Sequence, residues 1–328
     1  MNARNWRKHA AIVAGFVLSA FFLWLALRQV DGVSLSKAFA TMNLLPVVFC
    51  SGALSVGILL RGIRWRVVAG FPKKEQHHFS RATNLGVLTN LIFPGRAGEF
   101  VRVITLAKLS NSSLPGPLAS ALIDRLVDVF ILAACASILY WALPISALVG
   151  KWLTVFLIVG SVIAFLVVVY ARSSGLVEVM ISRLAKHWVQ RWPLKPEVFL
   201  AELRNEFRRL LGSWLSVQLV VLATLILCTD YAAIAGLIQA FDLSLPVAAP
   251  LLLWVFLAAG SALPSAPGYV GVYQVAAVWS LSFYAVSAPT AVAIATVLQL
   301  TTLVVAIAMA GPCALGIFNR AVFQKNTV

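Results

Sequence analysis

From Leu243 to Asn319 the chain runs for 77 residues without one Asp, Glu, Lys, Arg or His. A water-exposed surface cannot be built from such a run, because about a quarter of a soluble domain's residues are charged. The rest of the chain is poor in charge too. Of its 328 residues 11% are charged and 61% hydrophobic, with a mean hydropathy of +0.93. These values exclude a soluble globular protein, a disordered chain and a secreted disulfide scaffold. They leave an all-α polytopic membrane protein.

Six apolar stretches are long enough to cross a bilayer, near 10–27, 40–60, 118–143, 152–171, 213–239 and 287–316. The first follows Arg4, Arg7 and Lys8 and resembles a signal peptide, but its apolar part is long and we read it as a retained span. Two further apolar segments are broken by Pro and Gly. One runs from Asn84 to Lys108 and is interrupted at Pro94-Gly95-Arg96-Ala97-Gly98. The other runs from Pro246 to Tyr284 and is interrupted at Pro264-Ser265-Ala266-Pro267-Gly268.

Lys and Arg number 26 against 11 Asp and Glu, a formal net charge of +15. In a soluble protein this would point to nucleic acid, which is not expected here. In a membrane protein it points to cytoplasmic loops. If both broken segments are re-entrant hairpins, 19 basic residues fall on one side, among them Arg61, Arg64 and Arg66 and eight residues between Arg172 and Arg209. Only Arg28, Lys37 and Lys151 fall on the other. The positive-inside rule then places both termini in the cytoplasm, for a chain in a bacterial inner membrane. The model is about six spanning helices plus two re-entrant hairpins in one membrane domain, 1–328. Residues 40–143 and 213–316 become two halves of opposite orientation, an inverted repeat with broken segments at matching positions.

The segment 172–212, on the cytoplasmic side, is the only long polar stretch. Leu200, Leu203, Phe207, Leu210 and Leu211 recur at helical spacing with charges between them, the pattern of an amphipathic surface helix. Trp188 and Trp192 precede it as interfacial anchors. It either captures anionic lipid or joins the halves as a solvated linker.

Ionisable side chains at membrane depth are costly, so each is a candidate for function. They are Arg96, Glu99, Arg102, Asp124, Arg125, Asp128 and Asp230, and six of the seven fall between Arg96 and Asp128. The helix beginning near Gly98 exposes unpaired N–H groups and a positive dipole end, which together suit an anion. Arg96 beside it offers a planar fork for phosphate or carboxylate. Glu99 and Arg102 share a helix face, so binding and internal stapling are both open. Asp124 and Asp128 share a face at i, i+4. They are read either as a proton-coupling pair or, the more conservative reading, as part of a buried salt-bridge network. In the second break, Pro267, Gly268 and Gly271 permit close backbone approach and Gln274 is the sole amide. A Pro-kinked helix pair without a ligand is the competing reading there.

The motifs Asn90-x-x-x-Pro94-Gly95-Arg96-x-Gly98-Glu99-x-x-Arg102, Asp124-Arg125-x-x-Asp128 and Pro264-x-x-Pro267-Gly268-x-x-Gly271 resemble the flippase-like membrane domain of lysylphosphatidylglycerol synthases and their stand-alone relatives. The resemblance covers roughly residues 10–316. It implies polyprenyl- or phospholipid-type substrates moved between leaflets, and re-entrant helices meeting from opposite sides. Two departures stand out: the family usually has Glu where Asp124 stands, and often Glu where Gln274 stands. About a dozen residues follow the last span, so the soluble aminoacyl-transferase domain, and lipid aminoacylation with it, are not expected.

Cys50, Cys135, Cys228 and Cys313 lie apart in apolar segments and read as small buried hydrophobes. No metal-ligand spacing, nucleophile elbow or phosphate loop is present, so neither metal, cofactor nor catalytic residue is expected. The expected function is translocation of a lipid with an anionic or polar, phosphate-containing headgroup. The binding residues are then Arg96, Gly98, Glu99, Arg102, Asp124, Arg125, Asp128, Pro267, Gly268, Gly271 and Gln274. The first alternative is a scaffold or accessory subunit of a lipid- or glycan-modifying enzyme. The second is an integral lipid-modifying enzyme using Glu99 or Asp128 as a base.

Overall fold

The computed structural model describes residues 16–28, 30–142, 196–211, 214–263 and 265–325, with isolated positions between 158 and 172. Among these every regular element is a helix. Within hydrocarbon each N–H and C=O must find its partner inside the segment, and a helix does this without a neighbour. In chain order the helices are α1 (Phe16–Leu27), α2 (Gly32–Ala40), α3 (Leu44–Ala69), α4 (Gln76–Ile92), α5 (Ala97–Leu109), α6 (Pro115–Ala142), α7 (Pro196–Leu210), α8 (Trp214–Ala240), α9 (Ala248–Ser261), α10 (Val272–Ser282) and α11 (Ala288–Lys325). The protein is a polytopic helical membrane protein.

The helices α3 and α8 and the stretch Ala288–Pro312 of α11 are each long and apolar enough to span. At 1.5 Å per residue the 26 residues of α3 extend about 39 Å, beyond the roughly 30 Å of hydrocarbon. The 28-residue α6 is as long but carries Asp124, Arg125 and Asp128 in its first half. Twice the order is long helix, two shorter helices around a break, long helix: α3, α4 and α5, α6, then α8, α9 and α10, α11.

Three expectations need amending. The span placed at 40–60 begins at Leu44 and continues to Ala69, so Arg61, Arg64 and Arg66 are helical and not loop residues. No Pro interrupts 60–69, and the helix carries its three arginines and stops only before Gly70 and Pro72. The amphipathic pattern at 196–210 does form a helix, but Leu203 and Phe207 pack on Val68, Ala119, Ile123 and Leu219. That part of the apolar face meets protein, while Val198 and Leu211 stay exposed. Among the cysteines Cys50 and Cys135 are buried, but Cys228 is exposed. The stretch 152–171 lies mostly, and Trp188 and Trp192 wholly, outside the described residues.

The chain forms two compact units. The first comprises Met1–Ile58, Thr83–Val101 and Leu227–Val328, the second Leu59–Ala82 and Arg102–Ile226. In the first, α9 packs on α10, and α11 packs on both α10 and α2. Ala233, Ala277, Ala291 and Ala293 are fully buried there beside Leu237, Leu253, Leu281 and Ile294. Small residues let apolar helices approach closely where lipid removes the hydrophobic drive. In the second, α6 packs on α7, and a separate cluster gathers Trp65, Phe79, Ala82, Val103, Leu106 and Ala121.

Candidate functional site

The first unit holds both chain breaks. After α4 the backbone turns at Gly95 and Arg96, with φ of +72° and +55°. Gly takes that conformation freely, whereas Arg96 does so at a cost of about 1–3 kcal/mol. The turn sends α5 back along α4. A Cβ on Gly98 would overlap the Gly86 carbonyl oxygen and stand 2.6 Å from Asn90 Oδ1. Gly98 is thus a close-approach residue of the hairpin.

The start of α5 is less open to an anion than expected. The Gly98 N–H donates to Asn90 Oδ1 at 2.8 Å, and the Glu99 N–H to the Arg96 carbonyl at 3.1 Å. Asn90, on the other arm, caps the helix. Arg96 remains the anion-seeking group: it is half-buried, its Nε is buried without a hydrogen-bond partner, and it forms no ion pair among the described residues. Glu99 is half-buried on the first turn of α5.

The second break is built from backbone and amides. Pro267–Tyr269 forms a single 3-10 turn, with Gly268 at φ +66° and Tyr269 at φ +60°. An aromatic residue in that region is a true outlier. The Tyr269 ring stacks on Tyr273, 5.2 Å between centroids and 10° between planes. Gly271, at φ +84°, starts α10, and a Cβ there would overlap the Ser19 carbonyl oxygen. Ser19 Oγ also accepts the Ala266 N–H at 2.6 Å, so α1 braces this turn. The two breaks meet: a Cβ on Gly268 would stand 3.5 Å from the Leu91 carbonyl oxygen near the end of α4. Lower on α4, Asn84 Nδ2 donates to the Met309 carbonyl of α11 at 3.2 Å.

Gln274 is 4% exposed and fully engaged. Its Oε1 accepts the Gly271 N–H at 2.7 Å, and its Nε2 donates to Gln299 Oε1 at 2.6 Å. Gln299 Nε2 donates to the Gly268 carbonyl at 2.7 Å. Gly271, Gly268 and Gln274, which the sequence reading offers to a ligand, have these polar groups paired with one another and with Gln299. Elsewhere in this unit Trp254 Nε1 donates to Asp230 Oδ2 at 3.0 Å.

The second unit contains the acidic pair. Asp124 is 1% exposed. Its Oδ1 receives Arg64 Nε at 2.8 Å and its Oδ2 receives Arg102 Nη2 at 3.1 Å. Arg64 Nη2 also reaches Asp128 Oδ1 at 2.6 Å, and Arg125 Nη1 reaches Asp128 Oδ2 at 2.8 Å. Three arginines and two aspartates leave a formal +1. The Arg102 guanidinium lies 4.5 Å over the Trp65 ring, whose Nε1 donates to Ser120 Oγ at 3.1 Å. Each aspartate stands between two arginines in a salt-bridge network. Asp124 and Arg102, expected among the ligand-binding residues, are both buried within it. Arg125 and Asp128 keep side chains 35% exposed.

Arg64, Ser19 and Gln299 are not legible as site residues, and Asn90 only as a motif position. The charge distribution groups Arg64 with the cytoplasmic basic residues. Gln299 left a readable trace, as the bulkiest polar side chain in an otherwise apolar span.

Comparison with known proteins bears on the family. The family model for the lysylphosphatidylglycerol synthase TM region matches residues 12–310. A curated relative, glycosyltransferase AglD of Haloferax volcanii, is 27% identical over 133 residues, 40% of this chain. The match spans 21% of that relative's own length. No solved structure matches. The motifs, the paired breaks and a family match over most of the chain make this protein a member of the lysylphosphatidylglycerol synthase transmembrane-region family.

Proposed function

We propose that this protein moves a lipid with an anionic, phosphate-containing headgroup between the leaflets of a bacterial cytoplasmic membrane, with both termini cytoplasmic. Arg96 carries the reading. What supports it is a half-buried guanidinium without an ion-pair partner among the described residues, on a left-handed turn where the two breaks touch, with a planar fork suited to phosphate. The headgroup exchanges water for Arg96 while its tails stay in lipid. No covalent step is involved, and we read the chain as a carrier and not an enzyme. Reconstitution into vesicles holding fluorescent phosphatidylglycerol tests this, with quencher access to the outer leaflet as readout. Arg96→Ala should slow exchange about tenfold, the worth of one charge-assisted hydrogen bond, and leave the thermal midpoint nearly unchanged. Vesicles that exchange lipid no faster than protein-free ones would end the proposal.

The relative's name favours a second reading, an accessory subunit of a glycan-modifying enzyme. In that case charge reversal at exposed Arg208 on α7 would abolish function in cells while Arg96→Ala would not.

A further inference from the structure

The second break carries no formal charge, yet its polar groups form a directed chain. It starts at a backbone donor, the Gly271 N–H, passes through the amides of Gln274 and Gln299, and ends at a backbone acceptor, the Gly268 carbonyl. Both ends fix the sense of the amides. Flipping either one would set two donors or two acceptors face to face. Thr296 Oγ1 stands 3.5 Å from Gln274 Nε2 and adds no ionisable group.

The middle link must accept at one atom and donate at the other. A primary amide does so at every pH. A carboxyl does so only while protonated, because the carboxylate is acceptor-only and would face Gln299 Oε1. Among α1, α9, α10, α11 as far as Pro312, and α4 from Thr83 onward, there is no Asp, Glu, Lys, Arg or His. Of the other elements packed here, α2 carries Lys37, which is exposed, and α8 carries Asp230, which accepts the Trp254 Nε1–H. The other titratable side chains here are the phenols of Tyr269, Tyr273 and Tyr284. The nearest ionisable residues in sequence beyond the touching backbones are Arg96 and Glu99.

We propose that Gln274 and Gln299 are positioning residues whose amide relay holds the second break in its working shape at any pH, so that this half of the headgroup site takes no part in proton coupling. The transport consequence rests on the translocase reading above, whereas the relay itself does not.

Gln274→Glu is the test, read in two ways between about pH 5 and pH 8. In detergent, its thermal midpoint should match the parent protein at the acid end and fall progressively below it as pH rises, since the introduced carboxyl must keep its proton to fit. In vesicles with fluorescent phosphatidylglycerol, its exchange rate relative to the parent should drop about tenfold or more over the same range. Gln274→Leu, which removes the relay without adding a titrating group, should be impaired equally at every pH. If Gln274→Glu does not fold, Gln299→Glu makes the same demand, because its proton must be donated to the Gly268 carbonyl. Midpoints of the carboxyl variant that run parallel to the parent across the range would overturn the relay. A parent protein that moves no lipid defeats the translocase reading alone, and the thermal comparison still decides the relay.

Discussion

Two regions of this molecule bear on a Pro/Gly-broken segment, and they do it with opposite chemistry. In the second unit Arg102 of α5 is fixed by charge: Asp124 stands between Arg64 and Arg102, and Asp128 between Arg64 and Arg125. In the first unit the break at Pro267–Gly271 is fixed by two neutral amides and backbone groups. Buried ion pairs hold well only while every partner is present, because the cost of a desolvated charge returns when its counter-ion is removed. A neutral relay has less at stake in each link and no pH at which it fails. Charge is therefore concentrated in one region, while the other, inside the 77-residue run without ionisable residues, is built to do without it.

The largest effect that would break this comparison is expected from Asp124→Ala. It takes the shared carboxylate from Arg64 and Arg102, both buried, and leaves Asp128 to Arg64 and Arg125. The loss should be about 3–5 kcal/mol, read as a collapse of the yield of folded protein or a steep fall in thermal midpoint. A mild effect would mean that the cluster is not what holds α3, α5 and α6. Next comes Gln299→Ala, which leaves the Gly268 carbonyl and one Gln274 N–H unpaired. About 1–3 kcal/mol is expected, and unlike the carboxyl variants its deficit should not vary with pH.

The smallest effect concerns Glu206 on α7, which ion-pairs with Arg209 at 2.5 Å. Burial pushes its carboxyl above the ordinary value, against the pull of Arg209, and nearby Glu202 adds to the rise. A raised acid favours the protonated folded state. Its contribution is complete below the ordinary carboxyl value and is lost as pH climbs through the raised one. Glu206→Gln should therefore flatten the pH dependence of stability on the acid side of neutrality, by less than about 1 kcal/mol. Unfolding midpoints across that window would show it, and an unchanged slope would remove Glu206 from the account.

Much of the fold was legible in the sequence because the bilayer imposes it. A run of apolar residues can satisfy its backbone in lipid only as a helix, so the long helices and the two Pro/Gly interruptions appear where composition puts them. Arg96, Asp124 and Asp128 were legible for the related reason that charges at depth are rare. Their roles were not. Whether a carboxylate serves a ligand or a neighbouring guanidinium depends on which helices lie beside it, and the spacing of Asp124 and Asp128 is the same in either case. Arg64 was misplaced because a positive charge near a span end reads as a loop residue, whereas α3 runs on through it. The hairpin N-terminus looked like an open anion site because Asn90, eight residues earlier, gives no local sign that it will fold back to cap Gly98.

The sequence alone determined that this is a polytopic helical membrane protein, where its helices break, and which few charges had to be explained. These follow from solvent and covalent geometry, which act locally along the chain. Only the tertiary structure decided which polar groups were already paired. It placed Asp124, Arg102 and Gln274 in closed networks and left Arg96 without an ion-pair partner among the described residues, because hydrogen-bond satisfaction is settled between helices far apart in sequence.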